Sequence, residues 1–225
     1  MKAPVRTFGI GLGDVFRAGI GGYFRQPAPL SLAGAVTLAT YLLFRIQAQH
    51  AYDAAALGRS ILLDLAGLVL ASLAALSWYA GALAADRGLK VDLSAPFHHR
   101  RRFTAQAVAS FWFWAAVLFG LRYLYGIPSL LALTFYAFYG YVVTEGESKG
   151  LRALGQSVRL GQGRRVGLFA VGLIFLVFNL LGALPLGYAV NPFTTVLASL
   201  GILVTTNITI VAGARIYRTL TGEVS

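Results

Sequence analysis

Three ionisable residues interrupt apolar stretches of this chain: Arg45, Asp64 and Arg122. A charge at membrane depth is expensive, so it faces a partner, water or a ligand rather than hydrocarbon. Asp64 lies about four residues inside an apolar run that opens at Ser60, about 6 Å along a helix axis. Arg45 and Arg122 stand near the ends of the runs before and after it, at a similar expected depth. A carboxylate flanked by two guanidiniums can tie helical hairpins together as an ion pair. It can equally form an anionic-ligand or proton site, and the residues alone leave both open. Asn179 in the fifth run and Asn207 with Thr205, Thr206 and Thr209 in the sixth are polar residues within apolar sequence. They can hydrogen-bond between helices or line a polar cavity.

Other chemistries are poorly provided for. His50, His98 and His99 fall between the apolar runs, and the last two are followed by three arginines, which repel a cation. A haem bundle would place histidines inside its helices. No metal site, no cofactor and no catalytic residue is expected. A Ser-His-Asp arrangement lacks a buried, positioned base. The Gly9, Gly11, Gly13 run follows no strand and lacks the spacing of a phosphate loop. The chain has no cysteine, which excludes thiol chemistry, thiolate metal sites and disulfides.

The elements that must position these residues follow from composition. Of 225 residues, 57% are apolar and 12% charged, against about 45–50% and about 25% in a soluble domain. That surplus excludes disorder, a disulfide scaffold and an ordinary soluble enzyme. It implies an all-α polytopic membrane protein. Apolar runs at about 29–48, 60–85, 103–125, 127–144, 166–190 and 192–214 predict six transmembrane helices in three hairpins, each long enough for a core of about 30 Å. Residues 28–215 form this domain. Residues 1–27 form a cytoplasmic or interfacial amphipathic segment without the apolar core of a signal peptide. Residues 216–225 form a cytoplasmic tail.

Sixteen of the nineteen Lys and Arg residues fall on one side of this arrangement, leaving Arg45, Arg59 and Arg122 on the other. The positive-inside rule then puts both termini in the cytoplasm, in a cell inner membrane. The net charge of +11 is read against anionic membrane lipids and not nucleic acid.

Two segments have the pattern of interfacial helices. From Ser148 to Gly161, Leu151, Leu154 and Val158 share one face, and Lys149, Arg152 and Arg159 another. With Arg164 and Arg165 they are the expected lipid-headgroup contacts. The segment is either a linker that anchors a hairpin or a lipid- or partner-binding surface. Near the N-terminus Phe16, Ile20, Tyr23 and Phe24 make an apolar stripe, weakened as a helix by Gly13, Gly19, Gly21 and Gly22. The consecutive aromatics Phe111, Trp112, Phe113 and Trp114 cover every side of a helix. Some of them must face lipid, a protein partner or a second copy.

The stretch from Glu145 to Gly187 and the closing ITIVAGARIYRTL carry a family pattern. Glu145 ends the fourth run; Ala153, Leu154, Ser157, Leu160, Gly163, Arg164 and Arg165 follow at the pattern's spacing, then Tyr217 and Arg218. Phe16, Arg17 and Pro27 match its opening more loosely. In these residues the chain resembles the bacterial glycerophosphoryl diester phosphodiesterase membrane-domain family and its six-span relatives. The resemblance implies six helices and a membrane-embedded accessory role. It implies no phosphodiesterase activity, which in fused relatives belongs to a separate soluble domain.

The reading that results is a non-catalytic inner-membrane protein, a scaffold or accessory subunit of a lipid- or envelope-related assembly. A small-solute or lipid transporter is one alternative. A membrane-embedded enzyme on lipid headgroups is the other.

Overall fold

The structure, a computed structural model, describes residues 11–146, 150–188 and 191–224. Lys149 and the first ten residues lie outside them. In chain order the helices are α1 (Leu12–Arg25), α2 (Pro27–Asp53), α3 (Leu57–Asp86), α4 (Arg100–Tyr123), α5 (Ile127–Phe135), α6 (Tyr139–Glu145), α7 (Leu151–Leu160), α8 (Arg165–Gly182), α9 (Pro185–Tyr188) and α10 (Pro192–Leu220). A single 3₁₀ turn, Ala95–His98, precedes α4. Every regular element among the described residues is helical. Among the described residues five helices, α2, α3, α4, α8 and α10, are long and apolar enough to cross a membrane. They leave large apolar side chains exposed, among them Leu42, Leu43 and Ile46 of α2 and Leu176, Val177 and Leu180 of α8. Water would solvate such faces poorly and hydrocarbon would solvate them well.

The expected fourth span, 127–144, is not one helix. It is α5 and α6, separated by Tyr136–Phe138. Backbone groups released by such a break need partners. Ser157 of α7 supplies two of them. Its Oγ accepts the Phe138 amide at 3.1 Å and donates to the Phe135 carbonyl at 3.0 Å. The expected fifth span also ends early: α8 stops at Gly182, and α9 resumes at Pro185. Proline has no amide hydrogen and disfavours helical geometry in the residue before it.

The chain divides into two compact units. One comprises Met1–Ser31, Gly81–Val91 and Leu160–Ser225. Within it α1 packs on α10 through glycine. A Cβ at Gly19 would stand 2.6 Å from the Ile208 carbonyl oxygen, and one at Gly22 would stand 2.7 Å from Val211. The face that α1 buries is Val15, Gly19, Gly22 and Tyr23, which takes Tyr23 from the expected apolar stripe but not Phe16, Ile20 or Phe24. Phe16 instead meets the rings of Phe175 and Phe178 of α8, at 5.5 and 5.2 Å, and Ile20 and Phe24 stay exposed. Gly182 and Gly201 give α8 and α10 the same backbone-to-backbone approach.

The other unit comprises Leu32–Ala80 and Asp92–Arg159. Its core joins Ala109, Phe113 and Val117 of α4 to Ala132 of α5, Tyr139 of α6 and Leu154 of α7. Among the described residues the basic segment is helical over Leu151–Leu160; its expected start at Ser148 lies outside them. Its buried face is Ala153, Leu154 and Ser157, while Leu151 is exposed. The expected face of Leu151, Leu154 and Val158 is thus turned, because Ser157 is drawn into the break between α5 and α6.

Candidate functional site

Within the second unit, Asp64 and Arg122 line a cleft of 540 Å³ on facing sides of α3 and α4. Ile61, Asp64 and Leu65 lie on one face of α3, and Ala115, Leu118, Phe119 and Arg122 on one face of α4, at the helical spacing of three and four. Arg45 of α2 reaches Asp64 across the turn that joins α2 to α3. Its Nη1 donates to both carboxylate oxygens, at 3.2 and 3.1 Å. The Asp64 side chain is 13% exposed and that of Arg45 45% exposed. The pair is therefore partly screened by its surroundings, and its attraction falls between that of a surface bridge and a buried one. Gly67, one turn beyond Asp64, has no room for a side chain: a Cβ there would stand 2.4 Å from Phe44 Cβ. This close approach of α2 and α3 sets Arg45 beside Asp64.

Arg122 is placed in the same cleft but not in the same ion pair. It stands in the last turn of α4, where a cation complements the helix dipole. Among the described residues no carboxylate pairs with it. Tyr52 and Tyr123 also line the cleft, with Tyr123 resting against Phe119 at 5.1 Å between ring centres. The arrangement can attract one negative charge. Asp64 and Arg45 neutralise each other, and Arg122 remains.

The four aromatics divide as a helix requires. Phe111 and Trp112 are exposed, Phe113 is buried and Trp114 half-buried. Phe113 packs on Tyr139 at 5.0 Å. Trp114 Nε1 donates to Ser72 Oγ at 2.8 Å. Ser72 is also met by the Tyr139 hydroxyl at 3.4 Å, and its carbonyl accepts from Gln106 Nε2 at 3.0 Å. This buried polar cluster was not anticipated. Gln106, a lone amide in the third apolar run, was its one sequence signal.

In the first unit the polar residues of interest lie on α8 and α10. Asn179 Nδ2 donates to Thr209 Oγ1 at 3.3 Å, joining α8 to α10. Asn207 donates to Leu203 O, and Thr205 to Gly201 O and Ile202 O, all within α10. A second group of charges, also unanticipated, closes the C-terminal tail. Asp86 is 2% exposed, with Arg218 Nη1 at 2.5 Å and Arg215 Nη1 at 3.9 Å. Glu223 joins it, accepting from Arg218 Nε at 3.1 Å and from Arg87 Nη2 at 2.8 Å. Arg87 holds the Glu223 carboxyl below its ordinary value, chiefly by that hydrogen bond and with help from Arg218. The spacing of Arg215 and Arg218 on α10 was a signal for this cluster, but no local pattern points them at Asp86.

Of the basic residues expected at lipid headgroups, Arg152, Arg159 and Arg165 are exposed and Arg164 is half-buried. Lys149 lies outside the described residues. Among the described residues no three His, Asp or Glu side chains come together as metal ligands would. No protein-family model, curated protein or solved structure matches the chain.

Proposed function

We propose that the chain is a non-catalytic multi-pass protein of the cytoplasmic membrane, with both termini cytoplasmic. In this reading it is a scaffold or accessory subunit of a lipid- or envelope-related assembly. The observation that carries the reading is the seating of α7. Leu154 and Ser157 hold one face of this short helix in the protein core. Arg152 and Arg159 stand exposed away from that face. A helix pinned by its apolar side presents its cations at a fixed place, which suits a surface of anionic lipid. Arg164 and Arg165 extend the same basic tract, and Lys149 precedes it. The exposed Phe111 and Trp112 offer contact to lipid, a protein partner or a second copy.

The resemblance to the glycerophosphoryl diester phosphodiesterase membrane-domain family belongs to the same proposal. Two residues of that pattern have structural work here: Ser157 in the helix break and Arg218 on Asp86. A transporter of lipid is the second reading, favoured by the Asp64 cleft with its apolar walls.

The test is purification in a gentle detergent, with identification of the lipids and proteins that accompany the chain. The expected result is an envelope protein in constant ratio, together with anionic lipid that Arg152→Gln with Arg159→Gln sheds while helical content is unchanged. Solute uptake or headgroup turnover by the purified chain in proteoliposomes would overturn the reading.

A further inference from the structure

The cleft between α3 and α4 has a composition that the seating of α7 does not explain. Its walls are aliphatic and aromatic, with Ile61, Leu65, Leu118 and Phe119 from the two helices. Its volume of 540 Å³ falls in the range of about 300–1,000 Å³ that holds a small ligand. Arg122 is at the same site, without a carboxylate partner among the described residues. Tyr52 and Tyr123 also line it, both exposed, and among the described residues neither hydroxyl has a hydrogen-bond partner. A cation and two phenol donors beside an apolar wall fit a ligand with an anionic head and a hydrocarbon tail. Asp64 does not oppose this, because Arg45 engages both of its oxygens.

We propose that this cleft binds one anionic phospholipid, its phosphate on Arg122 and its acyl chain along the α3 and α4 walls. The site goes beyond the α7 reading and stands without it, since no α7 residue lines the cleft. Charge complementarity selects the occupant. A zwitterionic lipid brings an ammonium beside its phosphate, which forfeits most of the attraction to an unpaired guanidinium. An apolar protein helix would leave Arg122 buried and unpaired. Arg45 keeps Asp64 from repelling the phosphate and so acts as a positioning residue for the site.

Native mass spectrometry of the full chain in detergent, titrated separately with phosphatidylglycerol, phosphatidylcholine and inorganic phosphate, tests the proposal. One phosphatidylglycerol per chain is expected to survive at collision energies that strip phosphatidylcholine. Arg122→Gln should weaken that retention about tenfold, and Arg122→Lys should recover part of it. Saturation by inorganic phosphate with no preference for phosphatidylglycerol would make this a free-anion site and overturn the lipid assignment. Equal retention by Arg122→Gln and the parent would overturn the role of Arg122. A photoactivatable phosphatidylglycerol added to the unaltered protein gives an answer that does not depend on a variant folding. Its crosslinks should map to residues 61–65 and 115–123, and their absence there would refute the proposal.

Discussion

Ser157 accepts the backbone amide of Phe138 at 3.1 Å, across the gap where one apolar run becomes two helices. The same hydroxyl donates to the Phe135 carbonyl at 3.0 Å. One side chain on the basic helix thus satisfies both sides of a helix break in the unit's core. Ser157→Ala would remove a hydrogen bond from the buried Phe138 amide and one from the half-buried Phe135 carbonyl, a loss of about 1–3 kcal/mol. A lower melting temperature in detergent, with α7 amides exchanging faster, is the expected result. An unchanged melting temperature would mean that the break is held by packing alone.

The Arg45–Asp64 pair predicts non-additive mutants. Asp64→Asn or Arg45→Gln alone should each destabilise the protein by about 1–3 kcal/mol, less than the roughly 3–5 kcal/mol of a fully buried pair, because Arg45 is partly exposed. The double mutant should be close to the milder single mutant. Denaturation of all four proteins in one detergent gives the coupling, and strict additivity would show that the two residues act independently.

The tail cluster predicts an acid-sensitive C-terminus. Arg87 and Arg218 depress the Glu223 carboxyl from its ordinary 4.5. Its contribution is therefore complete above that value and is lost as the pH falls through the lower folded-state value. As the pH falls through that lowered value, the residues around Glu223 should become open to carboxypeptidase or faster amide exchange. Glu223→Gln should show that openness at neutral pH and little further change on acidification.

The glycines of α1 should respond oppositely to one substitution. A Cβ at Gly19 meets the Ile208 carbonyl, whereas one at Gly21 meets nothing within 4 Å. Gly19→Ala should push α1 off α10 and lower the melting temperature. Gly21→Ala should raise stability by about 0.5–1 kcal/mol through helix propensity.

The long helices were legible because runs of apolar residues at membrane length leave few alternatives. α2, α3, α4 and α10 begin and end within a few residues of their runs, apart from the extended C-terminal end of α10. The break at Tyr136–Phe138 was not legible, because hydropathy is blind to a hydroxyl that arrives from Ser157 nineteen residues later. In α1 the apolar stripe misled, since close helix contact selects the absence of a side chain at Gly19 and Gly22. Arg45 and Asp64 invited pairing as isolated charges in consecutive runs; helix rotation decides that Arg45, and not Arg122, takes the carboxylate. Asp86 and Arg218 stand 132 residues apart, and only the tertiary fold joins them.

In the proposed topology the chain crosses the cytoplasmic membrane with α7 on the inner side and the Asp64 cleft towards the outer one. Because the sequence has no cysteine, single cysteines at Ala55, Ser94, Gln162 and Gly222 can be labelled in intact cells with an impermeant maleimide. Ala55→Cys should label from outside, and the other three only after the membrane is permeabilised. Labelling of Gln162→Cys in intact cells, or protection of Ala55→Cys until permeabilisation, would contradict that topology.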